Sequence, residues 1–205
     1  LPKIINDKSI IGLMYKRFFL DIGTPKYLKV SEKKIKKYFK RPSVFLDRDG
    51  VINYDYGYVY KKKDFKFKNG VIKGLKYLIK KKYLVFIVTN QAGIAKGYYK
   101  ESDFQKLHLY LKNFLYKKNI YFDDVQYSPY HSNAKFKKFK KKSSLRKPGN
   151  QMIKNIFKKY LIDKQKSIMI GDKKSDYLAA KKSNLKFEYA ENNFFKQIKR
   201  FTNNY

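Results

Sequence analysis

The sequence predicts an α/β fold in which a parallel sheet carries helices on both faces. From residue 43 onward, short apolar runs alternate with stretches whose apolar residues recur at helical spacing. Strands bounded by helices in this way build parallel sheets. Three of the strands also end in a polar residue: Asp47, Thr89 and Asp172. In an open parallel sheet the ligand crevice lies beyond the carboxyl ends of the strands. The fold reading therefore brings these three side chains together.

The first forty residues read differently from the rest. Phe18-Phe19-Leu20-Asp21-Ile22-Gly23-Thr24-Pro25 is a short apolar run closing in a turn. A lysine-rich helical stretch follows, from Pro25 to near Phe39, and Arg41-Pro42 breaks it. The boundary is set near residue 41, giving a tail over 1–40 and a main domain over 41–205. Within the main domain, Ser43–Leu46 is a short strand ending at Asp47. Asn69–Lys81 is helical, with Val71, Leu75 and Leu78 on one side. Tyr83–Val88 is a continuous apolar strand that ends at Thr89-Asn90. Glu101–Lys117 is a helix with Phe104, Leu107, Leu111 and Leu115 at helical spacing. Asp124–Tyr127 reads as a short strand, Asn150–Tyr160 as a helix, and Ser167–Ile170 as a strand ending at Gly171-Asp172. Ser175–Lys182 is helical and Lys186–Tyr189 is the last strand.

Composition narrows the classes. A chain of 205 residues that is 43% hydrophobic can bury a sizeable core. It has no cysteine, which excludes disulfides and cysteine-based zinc sites. No apolar run approaches the roughly 20 residues that span a bilayer, and no signal pattern opens the chain. A cytoplasmic location and no membrane partner are expected. The formal net charge of +34 invites a nucleic-acid reading. The lysines, however, are spread along the whole chain beside abundant Asn, Ile, Tyr and Phe, all with A/T-rich codons. Genome composition is the simpler account, and nucleic acid is not the expected partner. A basic surface would in any case attract phosphorylated substrates.

The chemistry centres on Asp47-Arg48-Asp49-Gly50. Asp47 ends a strand, and Asp49 lies two residues on, where Gly50 permits a turn. One carboxylate of such a pair can attack phosphorus and become an aspartyl phosphate. The other can protonate the leaving oxygen and later activate water. Attack on a phosphate dianion is opposed by repulsion, so cations and donors must offset it. Asp172 can join Asp47 in holding magnesium, a hard cation that takes oxygen ligands. Thr89 offers a hydroxyl, the backbone N–H groups of Asn90 and Gln91 can reach a phosphate oxygen, and Lys147 supplies a positive charge. Asp176 either supports the metal shell or positions Lys173. Each of these residues also has an ordinary structural use as a cap, a strand end or a surface lysine; the weight lies in their order along the chain.

The words FLDRDGVIN (45–53), GYV (57–59), TNQAGIAKG (89–97), RKP (146–148) and GDKKSD (171–176) resemble those of the haloacid dehalogenase superfamily of phosphatases. The resemblance covers 43–182 and is to the heptose-bisphosphate and histidinol-phosphate phosphatase branch. It implies a HAD-like, Rossmann-like sheet with a minimal cap. It further implies that Asp47 is the nucleophile and Asp49 the general acid/base, with Thr89 and Lys147 holding the transferring phosphoryl group. Magnesium would be bound by Asp47, the carbonyl of Asp49, and Asp172. Substrate would be contacted by Arg146, Lys173 and the loop Asp55, Tyr56, Gly57 and Tyr58, beside the N–H groups of Asn90 and Gln91 already read as substrate-binding from their place after the strand.

Members of that branch usually carry a zinc loop of three cysteines and a histidine before the RKP word. Here Ser128, Tyr130, Ser143 and Leu145 fill those positions. His131 remains, but one imidazole does not make a zinc site, so no zinc is expected. His131 is read as a solvated loop residue and His108 as a helix-surface one. The Lys135–Lys142 run stays open between a role on the site's rim and a solvated face. The usual sequence after the lysine is altered to Pro148-Gly149-Asn150-Gln151-Met152.

FFLDIGTP (18–25) with its following helix resembles the closing segment of sugar-phosphate nucleotidyltransferases, in which the Asp can bind the catalytic metal. The chain begins with Leu, and the expectation is a piece of a longer bifunctional protein. Such a fusion would favour a phosphorylated sugar as substrate, since nucleotidyltransferase and heptose-bisphosphate phosphatase belong to one route to activated heptose. The expected activity is magnesium-dependent phosphomonoester hydrolysis on a sugar bisphosphate. Alternatives are histidinol phosphate or a polynucleotide end as substrate, or a basic nucleic-acid-binding module without catalysis.

Overall fold

β1 (Ser43–Leu46), β2 (Leu84–Asn90), β3 (Asp124–Ser128), β4 (Ile168–Gly171) and β5 (Lys186–Tyr189) form one sheet in the order β3-β2-β1-β4-β5. Every pairing is parallel. The structure is a computed structural model that describes residues 14, 18–20 and 22–203. It divides the chain into two units, Leu1–Phe39 and Lys40–Tyr205.

In the first unit α1 runs over Pro25–Tyr38. Thr24 caps it by accepting from the Tyr27 N–H, proline occupies its first turn, and Lys36 and Lys37 lie in its last turn, where the helix dipole favours cations. Phe18 stacks on Tyr38 at 4.0 Å. Tyr27, Leu28, Val30 and Ile35 are exposed. Asp21, the candidate metal residue of this segment, lies outside the described residues.

In the second unit the central strands are buried on both faces, so their side chains divide by parity. Val44, Leu46, Val85, Ile87, Ile168 and Ile170 face one cluster. It is completed by α2 (Val71–Lys80) through Val71, Leu75 and Leu78, by Leu115 of α4 (Glu101–Tyr116), and by Phe194, Ile198 and Phe201 of α7 (Phe194–Asn203). Phe45, Phe86, Val88 and Met169 face the other. There α5 (Gln151–Lys159) supplies Met152, Ile153 and Ile156, and α6 (Lys174–Lys181) supplies Ala179 and Ala180. Helices cover both faces, as expected. The segments 47–70 and 129–150 hold nothing longer than a three-residue 3₁₀ turn, at Lys62–Asp64 and Lys137–Phe139, which matches a minimal cap.

Three elements depart from the sequence reading. β2 continues through Thr89 and Asn90 because β3 pairs with it to the end, Thr89 against Tyr127 and Asn90 against Ser128. The short helix α3 (Ala92–Lys96) follows at once and stops at Gly97, whose φ of 78° reverses the chain. α7 was not anticipated, although Phe194, Ile198 and Phe201 stand at i, i+4 and i+7. Among the described residues no helix is long and apolar enough to cross a membrane.

Candidate active site

Strand order reverses about β1, which lies between β2 and β4. The crevice at such a switch point opens beyond the strands' carboxyl ends. A cavity of about 470 Å³ lies there, with Asp47, Asp49, Arg146 and Lys147 on its wall.

Lys147 is the hub. It is 2% exposed, and an ammonium so buried needs all three protons engaged. Its Nζ donates to the Val88 carbonyl at 2.7 Å and lies 3.0 Å from Asp47 Oδ1 and 2.6 Å from Asp176 Oδ1. Its backbone is fastened as well. Lys147 N–H donates to Asn90 Oδ1, and Asn90 Nδ2 donates to the Lys147 carbonyl, both at 3.0 Å. The Asn90 side chain thus holds the lysine from the end of β2. Burial works against Lys147's charge, but Asp47 and Asp176 outweigh it and hold the ammonium above its usual range.

Asp47 continues β1, its N–H donating to the Ile170 carbonyl at 3.0 Å. Burial pushes its carboxyl up to about 6; Lys147 opposes this, while Asp176 and Asp49 add to it. Asp176 is both cap and site residue. One oxygen accepts from the Lys173 N–H at 2.9 Å at the start of α6, and the other faces Lys147. Asp172 follows β4, and its Oδ1 is buried without a hydrogen-bond partner. Asp47, Asp172 and Asp176 each offer a carboxylate oxygen, all within 4.8 Å of one another. An all-oxygen set with an unsatisfied buried oxygen fits a hard divalent cation. Gly50, at φ 84°, makes room for it, since a Cβ there would collide with Asp172 Oδ2. The Asp49 carboxylate is not in this group.

Asp49 instead turns to a set of donors. Arg48 Nη2 reaches its Oδ2 at 2.8 Å and Arg48 Nε its Oδ1 at 3.1 Å, while Asn53 Nδ2 donates to Oδ1 at 2.9 Å. Gln91 Nε2 donates to Oδ2 at 3.0 Å and to Thr89 Oγ1 at 2.9 Å. Arg48 is buried, donates also to the Val59 carbonyl, and lies 5.5 Å from the centre of the Phe104 ring.

The far wall carries Asp55, Gly57, Tyr58, Lys96, His131, Arg146 and Lys173. Asp55 accepts from the Gly57 N–H at 3.0 Å and from Lys173 Nζ at 3.1 Å. Burial raises its carboxyl, but these two donors outweigh it and hold the group below its usual value. Burial disfavours the Lys173 charge, and Asp55 and Asp172 more than restore it, so its ammonium titrates higher than usual. Arg146 lowers under burial, and its Nη1 is buried without a hydrogen-bond partner. Lys96 donates to Tyr58 OH at 2.8 Å.

Several expectations need correction. Tyr56 does not line the cavity; its ring stacks on Tyr54 at 6.2 Å and is mostly exposed. The Gln91 N–H is taken by the Ser128 carbonyl at 2.8 Å, because the sheet pairing extends this far, and cannot serve a phosphate. His131 is a cavity-wall residue with Nδ1 accepting from the Asn133 N–H, and His108 is half-buried against Phe104. None of Lys135–Lys142 lines the cavity. That run is anchored through Phe139, which joins Ile94, Ala95, Tyr99 and Phe104 in a satellite core with Tyr130 against it. Of the positions matching the branch's zinc ligands, Ser128 is buried at the end of β3 and Tyr130 packs in that core. Arg48, Asn53, Lys96 and Tyr99 were not singled out from the sequence. Arg48, Asn53 and Lys96 lie inside quoted words; nothing local marks Tyr99.

A parallel α/β sheet with a DxD loop at its central strand, and a lysine and further carboxylates after the flanking strands, defines a haloacid dehalogenase-type phosphatase. The family pattern for haloacid dehalogenase-like hydrolases matches residues 134–190. The chain is 42% identical over 137 residues to the D-glycero-beta-D-manno-heptose-1,7-bisphosphate 7-phosphatase of Haemophilus influenzae, covering 67% of this chain and 74% of that one. It is 39% identical over 166 residues to the D-glycero-alpha-D-manno-heptose-1,7-bisphosphate 7-phosphatase of Campylobacter jejuni, covering 78% and 91%. The D,D-heptose 1,7-bisphosphate phosphatase of B. bronchiseptica, solved with magnesium and phosphate, superposes with a TM-score of 0.65 at 21% identity over 78% of this chain and 86% of that one, a likeness of fold. The chain belongs to the haloacid dehalogenase-like hydrolases, in the family of these heptose-bisphosphate phosphatases.

Proposed function

We propose that this phosphatase removes one phosphate from a sugar bisphosphate, D-glycero-D-manno-heptose 1,7-bisphosphate being the candidate of choice, in the cytoplasm and with magnesium. The observation that carries the two-phosphate reading is Arg146. Arg146 lines the cavity that holds Asp47 and its Nη1 is buried without a partner, and an unsatisfied guanidinium donor is a strong site for a second anion. The names of the relatives support the same substrate class.

Asp47 attacks phosphorus, and the bond from phosphorus to the sugar oxygen breaks as Asp49 gives that oxygen a proton. Asp49 then takes a proton from the water that attacks the aspartyl phosphate, releasing inorganic phosphate and restoring Asp47. Lys147 offsets charge on the transferring group, and the Thr89 hydroxyl donates to it. Asp47, Asp172 and the carbonyl of Asp49 would hold magnesium, with Asp176 beside them, and the ion would supply positive charge to offset that of the phosphate. Lys173, Asp55, Gly57 and Tyr58 frame the leaving sugar.

The test is phosphate release from the heptose bisphosphate, other sugar phosphates, histidinol phosphate and 3′-phosphorylated DNA, each with and without magnesium. The heptose bisphosphate should turn over best, only with magnesium, and not in Asp47→Asn. Undiminished activity of Asp47→Asn would remove the nucleophile assignment, and a preference for histidinol phosphate or DNA would remove the substrate.

Residues 1–40 we read as the closing segment of a nucleotidyltransferase domain fused upstream. FFLDIGTP (18–25) and the exposed apolar side chains of α1 support this. A start codon directly upstream in the parent reading frame would end the idea.

A further inference from the structure

Gln91 fits poorly as a direct substrate contact. It is 2% exposed, its N–H is bonded within the sheet, and both polar atoms of its amide are engaged by protein. The two Nε2 hydrogens go to Asp49 Oδ2 at 3.0 Å and Thr89 Oγ1 at 2.9 Å. Oε1 accepts from Tyr99 OH at 2.6 Å. The direction of these bonds follows from chemistry. An amide oxygen only accepts, so the phenol must donate to it. Burial raises the Tyr99 phenol, which keeps that proton in place. Because the Asp49 carboxylate only accepts, the amide must turn its NH₂ to Asp49 and Thr89, and Tyr99 then holds the oxygen on the other side.

Thr89 consequently accepts, rather than donates, in its bond with Gln91. Its own O–H has no acceptor among the described residues and is left for an incoming phosphoryl oxygen. With the amide turned over, Thr89 would donate to Gln91, and Asp49 would face a carbonyl oxygen. The Tyr99 lock is itself built in. Gly93 lets the ring come close, since a Cβ there would collide with it, and Tyr60 stacks on the ring's face at 4.8 Å.

We propose that Gln91 is a positioning residue whose amide, oriented by Asp49 and held by Tyr99, keeps the Thr89 hydroxyl proton free for the phosphoryl group and fixes the Asp49 carboxylate beside it. This rests on the roles given to Thr89 and Asp49 under the proposed function, and deepens them: the donor to the phosphoryl group and the acid/base that serves the leaving oxygen are set by one side chain.

The experiment measures kcat and KM for p-nitrophenyl phosphate with magnesium, and orthovanadate binding by calorimetry, in wild type, Tyr99→Phe, Gln91→Met, their double variant and Gln91→Glu. Tyr99→Phe should lower kcat about tenfold and Gln91→Met about a hundredfold, KM staying within about twofold in both. In the Gln91→Met background Tyr99→Phe should do nothing more, because Tyr99 acts through the amide. Gln91→Glu should fall below Gln91→Met although it matches glutamine in shape, since a carboxylate takes the Thr89 proton and repels Asp49; a packing role gives the opposite order. Multiplying losses in the double variant, or a kcat in Gln91→Met equal to wild type, would overturn the proposal. A wild type that releases no phosphate would instead overturn the phosphatase reading. Vanadate binding then carries the same comparison: weakened in both single variants and no further in the double if the proposal holds, unchanged in them if it does not.

Discussion

Lys147 Nζ stands 2.6 Å from Asp176 Oδ1 and 3.0 Å from Asp47 Oδ1, so one buried ammonium is shared between the first residue after β1 and a helix-capping residue after β4. The cap and the candidate catalytic pair are thereby one electrostatic unit. Removing one member of a buried pair leaves an uncompensated charge and costs about 3–5 kcal/mol. Lys147→Met should therefore lower stability by that order and abolish turnover. Asp176→Asn keeps the oxygen that caps α6, so its loss of stability should be smaller while kcat still falls about tenfold or more. Denaturant unfolding beside steady-state kinetics separates the two.

Asp47 makes stability depend on pH when no metal is bound. Burial raises its carboxyl from 3.8 to about 6, so the folded state binds this proton more tightly than the unfolded state. The metal-free protein should be most stable below pH 3.8 with respect to this group and should lose stability as pH rises toward 6, with little further loss above. Asp47→Asn should abolish that difference and unfold at a higher temperature than wild type at pH 7 in EDTA. Thermal midpoints from pH 4 to pH 8 check it; equal midpoints at pH 7 would contradict it. Magnesium should raise the wild-type midpoint at pH 7 and leave Asp47→Asn nearly unmoved.

Gly50→Ala tests the metal fit from the backbone. The residue sits at φ 84°, and a Cβ would collide with Asp172 Oδ2. The substitution should cost about 1 kcal/mol or more in stability. By displacing Asp172 it should also weaken magnesium activation about tenfold or more. A magnesium titration of activity at a fixed temperature below unfolding reads the second effect.

Arg146→Met should separate substrates. Arg146 lines the cavity, and its Nη1 has no hydrogen-bond partner. A charge-assisted hydrogen bond contributes about 1.5–3 kcal/mol, so kcat/KM for a sugar bisphosphate should fall about ten- to a hundredfold. p-Nitrophenyl phosphate, which has no second anion, should be affected much less.

The loop before Lys147 should hold without zinc. Phe139 is 8% exposed in its satellite core, and Lys141 lies 4.2 Å from the centre of the Tyr130 ring. Phe139→Ala should cost about 3 kcal/mol and open the lysine-rich stretch to trypsin. A zinc chelator, with magnesium replenished, should change neither activity nor protease resistance.

The sheet and most of its helices were legible because their signals are local. A buried strand is a short apolar run and a packed helix repeats every three to four residues, so β1, β2 and β4 and their helices could be bounded to within a few residues. The positions of Asp47, Thr89 and Asp172 were legible for the same reason: each lies at or directly after a strand's carboxyl end. The end of β2 was not, since Thr89 and Asn90 are polar and only their register with Tyr127 and Ser128 keeps them in the sheet.

By itself the sequence determined the fold class, the carboxylate motif and the order of the parts around the crevice. Only the tertiary structure decided what each polar atom does there: that Tyr56 turns outward, that Asn90 holds Lys147, that Asp176 joins a cap to a charge, and that Tyr99 holds the amide of Gln91. The reason is physical. Backbone geometry follows from short-range patterns, whereas a buried hydrogen bond takes its direction from whichever donor or acceptor the fold brings opposite it, and for Lys147 and Val88 that partner lies 59 residues away in the chain.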